Sequence, residues 1–206
     1  VGSILALLRE LGLEEDTLVM FTSDNGSHSE GGYNPNFFDS NGALRGNKRS
    51  LHDGGIRVPL IARWPGTVPA GVVTDHISYF GDFFETAAEL AGVEAPEGLD
   101  SVSFLPELIG QGERQTEHDY LYWEFHEWEG AEAVRFGKWK AIRNPIHSGE
   151  VKLYDLVNDL GEWKDLSGDE PEVAARAATL MTEAHTPSVH PMWLLDHEKP
   201  QKKGEG

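Results

Sequence analysis

Cysteine is absent from all 206 residues. That excludes disulfides, thiolate metal sites and a cysteine nucleophile from this chain, and it leaves the compartment open. Positive charge is scarce: 17 Lys and Arg stand against 35 Asp and Glu, a formal net charge of −18. Such a balance repels nucleic acid and anionic membrane surfaces, so neither is expected as a partner. No apolar run approaches the ~20 residues of a membrane span, and no charged-then-apolar run stands at the front of these residues, so the chain as given reads as soluble. A starting methionine is missing too. Val1 opens inside an amphipathic pattern of Ile4, Leu5, Leu7, Leu8 and Leu11, from which we expect the protein to begin further upstream. What is present suffices for a core: 39% of residues are hydrophobic and 10% aromatic, enough for one large domain or one and a half small ones.

The segment SILALLRELG has helical spacing, with Ser3 as N-cap and Gly12 as the stop. TLVMFTS follows after an acidic loop. Its β-branched and aromatic residues do not alternate with polar ones, the pattern of a strand buried on both faces in a parallel sheet covered by helices. VPLIARWPG, Val58 to Gly66, is a second such run, and DFFETAAELAGV is a short helix closed by Gly92. Helix, strand, long loop, strand and helix argue for an α/β layer. From about Tyr120 the runs YLYWEFH, AEAVRF, KWKAIR and EVKLYDL are short and separated by turn signals, which predicts an antiparallel meander. Pro171 then opens a last helix, and the charged tail HEKPQKKGEG is expected to fray. The resulting division is 1–115 for the α/β portion, 116–195 for the antiparallel sheet with its helix, and 196–206 for the tail.

Asp24 and Asn25 stand at the carboxyl end of the TLVMFTS strand, the end at which open α/β sheets gather ligands. A carboxylate beside an amide carbonyl is a hard-oxygen pair suited to Ca²⁺, with Mg²⁺ second. Asp-Asn-Gly is also ordinary turn chemistry, although the following SHSEGGYNPNFFDSNG does not resume an alternating strand as a two-residue hairpin would.

Between Arg45 and Arg63 lie five basic residues, Arg45, Lys48, Arg49, Arg57 and Arg63, and one acid, Asp53. A cationic island in so acidic a chain suits an anionic ligand bound at one spot. The alternative is pairing with surplus carboxylates, which suits Arg49 and Arg63. Lys48 follows Gly46, which lets the backbone turn and aim it inward. Among nine histidines, His28 and His126 sit in polar loops where a hydrogen-bond donor to an anion is useful. Trp123, Trp128, Trp139 and Trp163 suit either the core or a sugar-stacking face.

LVMFTSDNG, GALRGNKRSLHDGGIRVPLIARWPG, AVRFGKWKAIR and KLYDLVNDLGEWKDL, in that order, resemble the C-terminal half of a type I sulfatase of the arylsulfatase and N-acetylgalactosamine-6-sulfatase kind. The likeness runs to about Trp193 and is densest from Thr17 to Gly66. It implies the alkaline-phosphatase-like α/β fold followed by a small C-terminal subdomain with an antiparallel sheet and a packed helix. It further implies Asp24 and Asn25 as Ca²⁺ ligands and Lys48 as the sulfate contact; from their polar-loop and cationic settings, and not from the resemblance, we expect His28 beside Lys48 in catalysis and Arg45 and His126 on the substrate. The implied substrate is a sulfated carbohydrate or aryl sulfate, and the implied setting periplasmic or secreted.

Two departures stand out. His52 and Asp53 precede Gly54-Gly55 where the family has an aromatic residue and Glu. The family's nucleophile is a formylglycine, whose hydrate attacks sulfur, made from Cys or Ser in a Cys/Ser-x-Pro-x-Arg motif. This chain has neither that motif nor the further aspartates of the metal site, so both are expected in a preceding part of the protein, and these residues alone are expected to be inactive. Two rivals remain open. One is a phosphoesterase or phosphonate hydrolase of the same superfamily, which a different upstream nucleophile would mark. The other is a non-catalytic Ca²⁺- or carbohydrate-binding module, which would bind glycan unaided.

Overall fold

The computed structural model describes residues 1–147, 149–195 and 198–199. It forms two compact units, Val1–Asp24 with Val58–Asp119, and Asn25–Arg57 with the chain from Tyr120 onward. The second unit thus takes up a segment from the first third of the chain, which a linear cut at 115/116 does not express. Of the tail 196–206, only Glu198 and Lys199 are among the described residues.

In the first unit, α1 (Gly2–Glu10) ends as expected with Gly12 in the left-handed region. Ser3 does not cap it: the helix already begins at Gly2, so Ser3 lies inside the first turn, and the N-cap, Val1, makes no side-chain bond. Strands β1 (Val19–Thr22) and β2 (Leu60–Arg63) pair with each other, Val19 opposite Arg63 and Thr22 opposite Leu60. The pairing is antiparallel, and Phe21 and Ile61 are 48% and 60% exposed. The antiparallel direction corrects the reading of these two strands as members of a parallel sheet. An unalternating apolar run reports that both faces are apolar, but it carries no information on the direction of the neighbouring strand.

Helix α4 (Asp82–Ala91) is closed by Gly92, as its sequence indicates. The buried Asp82 carboxylate accepts the backbone N–H groups of Tyr79 and Val102, each at 2.9 Å, and meets His118 Nε2 at 2.9 Å. It therefore ties the chain on either side of α4 to the helix start. The short helix α5 (Leu105–Leu108) follows.

In the second unit, two short helices, α2 (Pro35–Phe38) and α3 (Asp53–Ile56), precede a four-stranded antiparallel meander. Its strands are β3 (Leu121–Phe125), β4 (Ala131–Phe136), β5 (Trp139–Arg143) and β6 (Val151–Asp155), in spatial order β3-β4-β5-β6. Alternation sends Val134, Phe136, Ala141 and Leu153 to one face, where Ala177 and Met181 of α6 (Pro171–Ala184) cover them. Ala133, Ile142 and Tyr154 point to the opposite face and pack on Leu51. The Asn25–Arg57 segment is therefore held as a layer on the sheet, and burial of one large apolar side chain such as Leu51 contributes ~1.5–3 kcal/mol to that hold. No described helix is long and apolar enough to cross a membrane.

Candidate active site

The motif segments of the second unit are joined backbone to backbone. Gly26 N–H donates to Gly55 O at 2.9 Å, Gly54 N–H to Arg45 O at 2.7 Å, and Lys48 N–H to Ser27 O at 2.7 Å. Ser27 Oγ and Asn41 Nδ2 both donate to Asn47 Oδ1 at 2.9 Å. A Cβ on Gly26 would collide with Gly54 O, and one on Gly54 with the carbonyl oxygens of Gly46 and Arg45. Only hydrogen at these two positions allows three backbones to stack so closely. Lys48 is consequently carried beside the residue pair that follows Asn25.

The candidate side chains fall into distinct surroundings. Asp24 is the last residue of the first unit and is exposed; Asn25 opens the second and is half-buried. Lys48 Nζ lies 3.2 Å from Glu30 Oε2. Arg49, with φ at +76°, meets the same carboxylate at 2.5 Å and Glu127 at 3.1 Å. Arg49, then Lys48, pull the Glu30 carboxyl below its usual range. His28 is exposed, and its Nδ1 accepts Glu30 N–H at 3.1 Å. An accepting Nδ1 leaves the proton of the neutral ring on Nε2, which makes Nε2 a donor. His28, Glu30, Lys48 and Arg49 thus share one corner. In the first unit Arg63 pairs with Glu14, so the bland fate suggested for Arg49 and Arg63, pairing with carboxylates, is what the structure shows.

Arg45 donates from Nη1 to Glu162 O at 2.8 Å, and its guanidinium stands 5.1 Å over the Trp163 ring. A cleft of about 640 Å³ opens beside it, walled by Arg45, Arg49, His52, Trp128, Lys152 and Tyr154 among others. Trp128 and Trp163 are 80% and 72% exposed, whereas Trp123 and Trp139 pack on the two cores. Two of these four tryptophans thus belong to the cores and two stand exposed. His126 is not brought to this corner. Its Nε2 lies 2.8 Å from Glu124 Oε2, and its ring meets the edge of Trp193.

A buried charge network lies under the stacked loops, and nothing in the local sequence signals it. Lys140 Nζ is 2.5 Å from Asp53 Oδ1 and 3.0 Å from Glu162 Oε1, and Asp53 N–H donates to Glu162 Oε2 at 2.6 Å. Lys140 and Glu162 have no solvent exposure. Burial pushes the Glu162 carboxyl up, against the pull of Lys140. Burial, then the charges of Arg45 and Lys140, brings the neighbouring His52 down to about 4. Asp53, at the position where the acid differs from the family pattern, anchors the Gly54-Gly55 turn to the sheet.

Residues 45–186 match the family described as N-sulphoglucosamine sulphohydrolase, C-terminal. The chain is 40% identical over 152 residues to mouse (Mus musculus) steryl-sulfatase, covering 69% of this chain and 24% of that protein. It is 34% identical over 203 residues to human (Homo sapiens) arylsulfatase A, covering 84% of this chain and 38% of that one. Among solved structures, Ps i-CgsB in complex with k-i-k-neocarrahexaose superposes with a TM-score of 0.75 at 28% identity, over 88% of this chain and 39% of that chain. The chain spans roughly a quarter to two fifths of the length of these relatives.

Proposed function

The chain belongs to the sulfatase family, whose C-terminal domain it matches from Arg45 to Thr186, and from that premise we propose that it is the C-terminal part of a longer sulfate ester hydrolase. In this reading Asp24 and Asn25 ligate Ca²⁺, Lys48 contacts the sulfate, and the nucleophile, a formylglycine, comes from a preceding part of the protein. The observation that supports it most is the bond from Lys48 N–H to Ser27 O. Two motif elements, joined here through Ser27 and Lys48, which the family pattern assigns to one ester, are locked side by side.

The donor set fits the ion. Asp24 offers an exposed carboxylate and Asn25 an amide carbonyl, both hard oxygens of the kind Ca²⁺ takes. A bound Ca²⁺ would draw charge off the sulfate oxygens. The remaining work falls to side chains of this chain. Lys48 exchanges Glu30 for the sulfate, since a solvent-exposed ion pair is easily given up. His28 Nε2 supplies a hydrogen-bond donor in the same corner, and both groups stabilise charge that develops as the ester bond breaks. Arg45 and Trp128, both lining the cleft, form the substrate wall: cations and an exposed ring suit a sulfated carbohydrate, in which charge and an apolar sugar face alternate. A periplasmic or secreted setting agrees with such a substrate. His126 stands beside Glu124, away from the Lys48 corner, and is given no role in this reading.

The test is to assay the protein that carries this chain on an aryl sulfate and on the matching aryl phosphate. Faster hydrolysis of the sulfate supports the reading. Phosphate preference would move the protein to the phosphoesterase branch, and turnover by these 206 residues alone would place the nucleophile inside them.

A further inference from the structure

On the α6 side of the sheet, the face opposite Leu51, three side chains from separate parts of the second unit converge. Glu124 comes from β3, His147 from the turn between β5 and β6, and His185 from the residue that ends α6. One ligating atom of each lies within 4.8 Å of the other two. The two imidazoles are 4.6 Å apart between centroids and inclined at 70°. All three side chains are nearly out of solvent, at 10–16% exposure. His147 holds φ at +59°, in the left-handed region that a non-glycine residue enters at an energetic cost.

Around these three stands a second ring of polar groups. His185 Nε2 is 2.7 Å from Glu198 Oε1, which leaves Nδ1 as the atom turned to Glu124. Tyr122 O–H donates to Glu124 Oε1 at 2.5 Å, and His147 N–H donates to Glu132 Oε1 at 2.9 Å. Glu132 is itself held by Arg143 at 3.1 Å.

We propose that Glu124, His147 and His185 bind one divalent transition-metal ion of the Zn²⁺ class, at a site separate from the hard-oxygen pair Asp24 and Asn25. Two imidazoles and a carboxylate are a borderline donor set that suits Zn²⁺, while Ca²⁺ requires six to eight oxygens. A carboxylate on the far nitrogen of a ligating histidine is the outer-shell arrangement that fixes its tautomer and raises its basicity, and Glu198 supplies it to His185. A tetrahedral ion with bonds of about 2.1 Å sets its ligands roughly 3.4 Å apart, so binding draws the three side chains inward. Water completes the fourth position. The site ties β3, the β5–β6 turn and the end of α6 together at one end of the sheet. The inference stands apart from the proposed hydrolase activity.

Calorimetric titration of Zn²⁺ into the chelator-stripped protein that carries this chain, in buffer saturating in Ca²⁺, tests it. One Zn²⁺ per chain is expected. His147→Gln and His185→Gln should each weaken binding at least tenfold, and Glu198→Gln about 10- to 100-fold. Co²⁺ in place of Zn²⁺ should give the intense visible bands of a four-coordinate site, lost in both histidine variants. His147 lies in a turn outside the apolar core, so its variant keeps the far-ultraviolet dichroism of the parent. No uptake by the folded parent, or uptake and spectra unchanged in His147→Gln, would overturn the proposal and leave a hydrogen-bonded His–Glu network.

Discussion

Lys140 Nζ lies 2.5 Å from Asp53 Oδ1 with both side chains out of solvent, joining a sheet strand to the turn on which Gly26 rests. Glu162 completes the network: Lys140 serves both carboxylates from within, and Arg57 reaches only Asp53, at 3.8 Å and from the solvent side. The position of the Asn25–Ser27 loop therefore depends on a charge balance within the second unit.

Lys140→Met removes that balance and leaves two buried carboxylates facing each other. Breaking a buried ion pair from one side costs ~3–5 kcal/mol, so the melting temperature of the chain should fall sharply at pH 7. A carboxyl whose folded-state pKa is raised keeps its proton longer when folded, so its contribution is present below the ordinary value of 4.5 and is lost as pH rises through the folded-state value. The variant's deficit should consequently shrink as pH is lowered toward 4.5. Equal deficits at pH 5 and pH 8 would show that packing, not charge, is what Lys140 supplies.

His52 titrates in the opposite sense. With its folded-state value brought down to about 4, the ring is neutral in the folded chain while the unfolded chain takes up a proton below 6.5. Stability is then full above 6.5 and falls as pH drops from there toward 4. The C2 proton resonance of His52 should show a midpoint near 4, and His52→Leu should flatten that part of the stability profile. A midpoint at the ordinary value would mean that the ring is open to water.

Gly54→Ala should destabilise the chain by about 1–3 kcal/mol, because the added methyl meets two carbonyl oxygens of the backbone and neither can swing away. Gly168→Ala, with nothing within 4 Å of the new Cβ, is the control. Urea midpoints measure both. Similar midpoints would show that the Arg45–Gly46 segment yields easily.

The sequence already carried the meander, the helix ended by Gly92 and the ordered motifs, because each rests on local spacing or a turn residue. Other features were hidden for physical reasons. Asp53 is 87 residues from Lys140 and 109 from Glu162, and a lysine inside KWKAIR reads as a solvent-facing residue until the layer over that face is known. The antiparallel pairing of β1 with β2 was equally out of reach, since an apolar run does not state which neighbour it meets. His126 looked like a free donor in a polar loop, and its partner Glu124, two residues earlier, was in view; the direction of the side chain was not.

Lys48 gives the sharpest test of the proposed hydrolase. In the protein that carries this chain, Lys48→Ala should lower kcat/KM on a sulfate ester by about two to three orders of magnitude, the scale set by removing one charged stabiliser of a transition state. Arg49→Ala deletes the same local charge from the next residue, yet Arg49 is committed to Glu30 and Glu127, so its loss should cost far less. The structure adds a third variant, because Glu30 is the carboxylate that both cations share. Glu30→Gln frees Lys48 from its counter-ion and should leave kcat/KM unchanged or raise it, chiefly through a lower KM. Equal losses in the Lys48 and Arg49 variants would mean that the basic cluster acts through its general field, and a large loss in Glu30→Gln would mean that the pair with Glu30, not a free ammonium, is what the reaction uses.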